Sequence, residues 1–200
     1  MMKLFMSPTS PFARKVRVVV REKSLAERIE EVAVAPIEGR ADLVAANPLS
    51  QIPALIDETQ TSWTDSGLIS AWLDRQDSGP ALLPPYGTDE YWRVRRTETA
   101  ASGLFEMMAK IVYEGRRPES ERSPFWLQRW QDNLLRGFEQ ADRICPDAHV
   151  FDMGGLSLSI AGTFCSFRLP HLDWRATAPR VAALNTTHEA RPSFVETYPR

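Results

Sequence analysis

The sequence predicts a chain in two parts, a mixed α/β domain over residues 1–78 and an all-helical domain over 89–200, joined by a linker at 79–88. Three observations predict it. Short apolar runs alternate with helix starts through the first part. Residues 78–87 hold three prolines and two glycines, which neither a helix nor a strand can continue. Beyond them, apolar residues recur at helical spacing almost throughout.

Lys3-Leu4-Phe5-Met6 is a short apolar run stopped by Ser7-Pro8-Thr9-Ser10-Pro11, and reads as a buried strand entering a loop. Ser10 is a good N-cap and Pro11 suits the first helical position, where no backbone N–H is missed. In the helix that follows, Phe12, Val16, Val19 and Val20 share one face. Arg14, Arg17 and Arg21 share another, expected to face solvent. Glu30 to Val34 reads as a second strand, and Arg40 to Ala46 as a short helix closed by Asn47-Pro48. Ala54-Leu55-Ile56 and Thr61-Ser62-Trp63 flank a polar turn and predict a hairpin. Ser66 then caps a helix carrying Leu68, Ile69, Trp72 and Leu73. In the second part, Ala101, Leu104, Phe105, Met108, Ile111 and Val112 form one stripe, and Leu127, Trp130, Leu134, Phe138 and Ala141 another. Ser123-Pro124 repeats the cap-plus-proline start, and Ser157 is expected to cap a buried segment that Leu169-Pro170 ends.

Composition excludes several classes. Apolar residues are 43% and charged residues 25%, as in globular proteins. With 24 Lys+Arg against 26 Asp+Glu, the net charge of −2 supplies no field for nucleic acid or an anionic membrane, so neither is an expected partner. No run approaches the roughly 18 apolar residues of a membrane span. Leu4-Phe5-Met6 is too short for a signal-peptide core, and a cytoplasmic location is expected. Cys145 and Cys165 suggest neither a disulfide framework nor a zinc site, and His149, His171 and His188 form no spaced ligand set, so no metal is expected. Arg93, Arg95 and Arg96 alternate with glutamates as on a solvated helix face.

Three motifs sit at the joints of the first part: Ser7-Pro8-Thr9-Ser10-Pro11-Phe12-Ala13-Arg14-Lys15-Val16-Arg17, Asn47-Pro48-Leu49-Ser50-Gln51-Ile52-Pro53-Ala54-Leu55, and Asp65-Ser66-Gly67-Leu68-Ile69. In their order and spacing they resemble the N-terminal, thioredoxin-like domain of cytosolic glutathione S-transferases. The helical part, ending in Ala190-Arg191-Pro192-Ser193-Phe194, is similar to that family's C-terminal domain. The resemblance implies a β-α-β-α-β-β-α domain, an all-α domain, a homodimer and a cis peptide before Pro53. It also implies glutathione as co-substrate, with a small electrophile, in a detoxifying transfer reaction.

Ser10 falls where serine-type members carry their catalytic serine, with Ser7 and Thr9 as neighbouring alternatives. A free thiol with a pKa near 8.5 is only a few per cent thiolate at neutral pH, so the site must stabilise an anion. Lowering that pKa by two units requires about 2.7 kcal/mol. A helix N-terminus supplies ~0.3–1 kcal/mol, up to ~2. A hydroxyl donating to sulfur supplies about 1.5–3 kcal/mol. The resemblance further implies that Gln51, Ile52 and Pro53 bind the cysteinyl part of glutathione through the backbone, as an added strand would. It assigns Ser66 to the γ-glutamyl carboxylate at a helix start and Asp65 to its ammonium. Arg40 is a candidate for the glycyl carboxylate. The same site would serve a glutathione-dependent isomerase or reductase, or a non-catalytic binding and regulatory module. Phe105, Met108 and Tyr113 line either an apolar pocket or the core. One departure from the family pattern is Ser157, followed three residues on by Ile160 where a capping box has Asp.

Overall fold

The computed structural model describes residues 1–76 and 79–200. It divides into two compact units, Met1–Leu83 with Arg191–Arg200, and Pro84–Ala190. Asp77 and Ser78, where the expected first domain ends, lie outside the described residues. The elements in order are β1 (Met2–Met6), α1 (Pro11–Glu22), β2 (Ile29–Ala33), α2 (Ala41–Ala46), β3 (Ala54–Ile56), β4 (Ser62–Thr64) and α3 (Ser66–Asp74). They continue with α4 (Asp89–Gly115), α5 (Pro124–Arg143), α6 (Met153–Arg168), α7 (Trp174–Thr177), α8 (Pro179–Glu189) and α9 (Pro192–Glu196). The first unit is thus the thioredoxin-like β-α-β-α-β-β-α arrangement, and the second is all helical.

The sheet order is β2-β1-β3-β4, with β1 parallel to β2 and antiparallel to β3, and β3 antiparallel to β4. One of its faces closes over Phe5, Val34, Leu43, Ala46 and Ala54, with Val32, Ile52 and Ile56 packed against them. The short strands of the hairpin are held by Asp57. Its Oδ1 accepts from the backbone of Thr59 and Thr61, and its Oδ2 accepts from Trp63 Nε1 at 2.9 Å.

Helix α1 corrects an expectation. Its valines are buried as predicted, but Arg14 is only 3% exposed and Arg17 8%, so the arginine side is not a solvated face. The reason lies at the other end of the chain. Arg14 Nη2 donates to the Phe194 carbonyl at 3.1 Å, and Arg21 Nε to Glu196 at 2.9 Å. Arg17 Nε and Arg21 Nη1 share the Glu31 carboxylate of β2 at 2.8 and 2.7 Å. The last ten residues therefore belong to the first unit, whereas the sequence reading placed them in the helical domain. Glu22 fastens them, accepting from Arg191 Nε and Nη2 at 3.0 and 2.7 Å and from Ser193 Oγ at 2.6 Å.

The first unit also extends past residue 78. Buried Lys23 reaches Asp74 at 3.5 Å and the carbonyls of Gly79 and Pro80, while Asp74 accepts from the backbone of Leu82 and Leu83 at 2.8 and 2.9 Å. Gly79 has φ +67°, and a Cβ there would lie 2.4 Å from the Glu22 carbonyl, so only glycine passes.

In the second unit, α6 is buried from Met153 to Cys165. Its cap is Asp152, which accepts from Gly155 N at 2.7 Å, and not Ser157, whose hydroxyl bonds back to the Met153 carbonyl inside the helix. Gly155 occupies the position where a capping box needs a side chain to reach back, so the cap is one-sided. A Cβ on Gly154 would meet Thr97 at 2.8 Å and the Val94 carbonyl at 2.9 Å, which sets the start of α6 against the first part of α4. Arg93 bridges Glu90 and Asp152 there, so it is tied down rather than simply solvated. Phe105 and Met108 are fully buried core residues, while Tyr113 is 52% exposed. Among the described residues, no helix is long and apolar enough to cross a membrane.

Candidate functional site

The sheet register brings the three motifs together. Phe5 pairs with Ala54, and Ala54 with Thr64. The exit of β1 into Ser7–Ser10, the entry to β3 through Ile52-Pro53, and the exit of β4 into Asp65-Ser66 therefore lie side by side at one end of the sheet.

Each segment is shaped locally. The Ser7–Ser10 turn closes with Ser10 N donating to the Ser7 carbonyl at 3.1 Å, and the Ser7 and Thr9 hydroxyls lie 3.3 Å apart. Ser10 is the N-cap of α1, in extended backbone, and its Oγ accepts from Ala13 N at 3.2 Å. That leaves its proton free to donate elsewhere. No acidic residue sits in the first turn of α1, so the positive end of its dipole is uncompensated there. Phe12 follows, partly exposed, and Pro11 and Ala13 are buried.

The Ile52–Pro53 peptide bond is cis. The residue that shapes the approach to it is Asn47, only 5% exposed. Its Nδ2 donates to the Gln51 carbonyl at 3.0 Å and its Oδ1 accepts from Leu49 N at 3.1 Å. Sequence reasoning used Asn47-Pro48 only as a helix stop, and the buried amide was its missed signal. Gln51 is exposed, Ile52 half-buried against the core and Pro53 buried.

The start of α3 holds a second correction. Its N-cap is Asp65, accepting from Leu68 N at 2.9 Å, and Ser66 is the first helical residue, 3% exposed. Asp65 has φ +71° and ψ 124°, a backbone region that L side chains seldom enter and that costs on the order of 1–3 kcal/mol. Residues held so are concentrated at functional sites. The geometry exposes the Asp65 carboxylate while the first N–H groups of α3 open toward the same end of the sheet.

Arg40 is exposed and forked onto Asp42 at the start of α2. Cys145 and Cys165 are buried, and burial pushes their thiols up to about 11 and about 12, away from nucleophilic use. His188 is hydrogen-bonded to Ser159 Oγ and the Val150 carbonyl within the second unit. No group of three or more His, Cys, Asp or Glu among the described residues is placed to hold a metal ion.

The family model described as the glutathione S-transferase N-terminal domain matches residues 9–76. An Escherichia coli K12 relative, the uncharacterized GST-like protein YibF, is 28% identical over 99% of this chain and 98% of its own. Among solved structures, a glutathione S-transferase from Methylobacterium radiotolerans in complex with glutathione sulfonate is 32% identical, covering 99% of this chain and 94% of that one, with a TM-score of 0.89. A glutathione transferase family member from Pseudomonas fluorescens Pf-5 with bound glutathione is 30% identical over the full length of both chains, with a TM-score of 0.92.

Proposed function

The chain belongs to the glutathione S-transferase family, and from that premise we propose that it binds glutathione and transfers it to a small electrophile. The observation that carries the reading is the convergence of three segments at one end of the sheet, two of them opening helices whose N-terminal donors suit anions. Ser10 donates to the glutathione sulfur and holds it as thiolate. The backbone of Gln51, Ile52 and Pro53 pairs with the cysteinyl residue, with Asn47 fixing that segment. Ser66 and the start of α3 receive the γ-glutamyl carboxylate, and Asp65 its ammonium. Gln51 is exposed and contributes through its main chain.

Serine at position 10 has no sulfur to form a mixed disulfide, which disfavours thiol–disulfide exchange. The enzyme acts as a cytoplasmic homodimer in detoxification. The test is calorimetry with millimolar glutathione, followed by turnover of aryl halides, epoxides and peroxides. Saturable binding with turnover of one class is expected. An absence of binding to folded protein overturns the reading, and binding without turnover on any class replaces it with a non-catalytic module.

A further inference from the structure

Helix α4 is 27 residues long, and Val94, Ala101, Leu104, Phe105 and Met108 bury one side of it. The other side faces outward. Trp92, Arg96, Thr99, Gly103, Glu106 and Lys110 are all exposed and recur at alternating intervals of four and three residues, so they form one straight stripe along the helix.

Charged residues beside this stripe are satisfied within the chain: Arg93 meets Glu90 and Asp152 at 2.7 and 2.8 Å, and Arg95 meets Glu98 at 2.6 Å. Those on it are not. Among the described residues, Arg96, Glu106 and Lys110 make no ion pair and no side-chain hydrogen bond. Gly103 has no packing reason either, since a Cβ there would meet nothing within 4 Å, although glycine inside a helix is destabilising relative to alanine. At the upstream end of the stripe, the Trp92 ring lies 5.1 Å from that of Tyr91 and 6.0 Å from that of Tyr86, giving an exposed aromatic cluster that suits a cation.

The stripe is its own complement when reversed. Thr99 and Gly103 lie two residues either side of position 101, Arg96 and Glu106 five, and Trp92 and Lys110 nine. An antiparallel copy of the helix centred at that level therefore sets a cation against an anion twice, a lysine against the aromatic cluster twice, and a small residue against glycine in between. Other arrangements lose this. Parallel pairing sets Arg96 against Arg96, and moving the centre by one layer either way sets Arg96 against Tyr113 or Thr99 and separates both ion pairs.

We propose that α4 pairs antiparallel with α4 of a second copy of this chain, about a two-fold axis at the level of position 101, an inference that rests on the homodimer reading. Arg96 of each copy meets Glu106 of the other, Lys110 meets the Tyr86, Tyr91 and Trp92 rings, and Gly103 admits the closest approach. The test is sedimentation equilibrium of the full-length protein, with far-UV circular dichroism checking that each variant folds. R96E sets Glu opposite Glu twice and E106R sets Arg opposite Arg twice, so each should weaken the dimer by about 10-fold or more. R96E/E106R reverses both pairs and should return the dimer to within about 3-fold of wild type. Mixed in equal amounts, the two single variants regain both pairs only with each other, so native mass spectrometry should show heterodimer well above the statistical half. Single variants that dimerise as tightly as wild type, or a mixture at the statistical half, overturn the α4 pairing and leave the homodimer reading standing. A monomeric wild type overturns the homodimer reading and the pairing with it.

Discussion

Replacing Ser10 by alanine separates two duties of one hydroxyl. As the N-cap of α1, Ser10 accepts from Ala13 N at 3.2 Å, a long bond at a partly exposed helix start. Its loss should cost about 0.5–1 kcal/mol, the lower part of the range for caps. As the proposed donor to sulfur, it contributes about 1.5–3 kcal/mol, and at 1.36 kcal/mol per pKa unit its loss raises the bound thiol pKa by about 1–2 units. Turnover at neutral pH should fall about 10- to 150-fold. The thiolate absorbance of bound glutathione, titrated against pH in wild type, Ser10→Ala and Ser10→Gly, reads the chemical term. Urea unfolding reads the cap term, which glycine at an N-cap alters by only a few tenths of a kcal/mol. The two variants should therefore share the thiol shift while differing in stability. A bound-thiol pKa in Ser10→Ala equal to that of wild type refutes the reasoning, whatever happens to stability.

Glu22→Ala removes the acceptor for Arg191 and Ser193 and should lower stability by about 1–3 kcal/mol in chemical denaturation, since a partly buried charged hydrogen-bond network loses one side. Gly162→Ala places a Cβ 2.5 Å from the ring of Trp174, which is 2% exposed and stacked on Phe138. Overpacking of about 1–3 kcal/mol should appear in thermal unfolding with an altered near-ultraviolet tryptophan signal. Asp57 is held down to about 2 from an ordinary 3.8, by Trp63 Nε1 first and then by Thr59 and Thr61, against the opposing effect of burial. Below 3.8 the unfolded chain takes up the proton first, so stability present above that value declines as pH falls toward 2. Asp57→Asn should show a shallower loss over that window in urea unfolding at stepped pH.

What the sequence revealed was mostly local. Ser10-Pro11 and Ser123-Pro124 mark helix starts because cap and proline act within one turn. The hairpin around Asp57 is likewise self-contained. At Asp65-Ser66 two adjacent residues can both cap, and the positive φ that selects Asp65 is imposed by the exit from β4. Ser157 is the cap that the sequence offers for α6, whereas Asp152 opens it five residues earlier, with Gly154 and Gly155 lying close against Thr97 and His188. The arginine side of α1 was misread because its partners, Phe194 and Glu196, come from the far end of the chain. The ordered motifs were readable, but their convergence is a property of strand register.

The placement of Arg191–Arg200 in the first unit bears on how the chain is made. During synthesis the residues that cover α1 leave the ribosome long after it, Arg191 following the Glu22 it meets by 169 residues. Until they emerge, the nascent first unit holds Arg14, Arg21 and Glu22 without these partners. Docking of this segment therefore completes the cover of α1 only after the whole of the second unit has been synthesised.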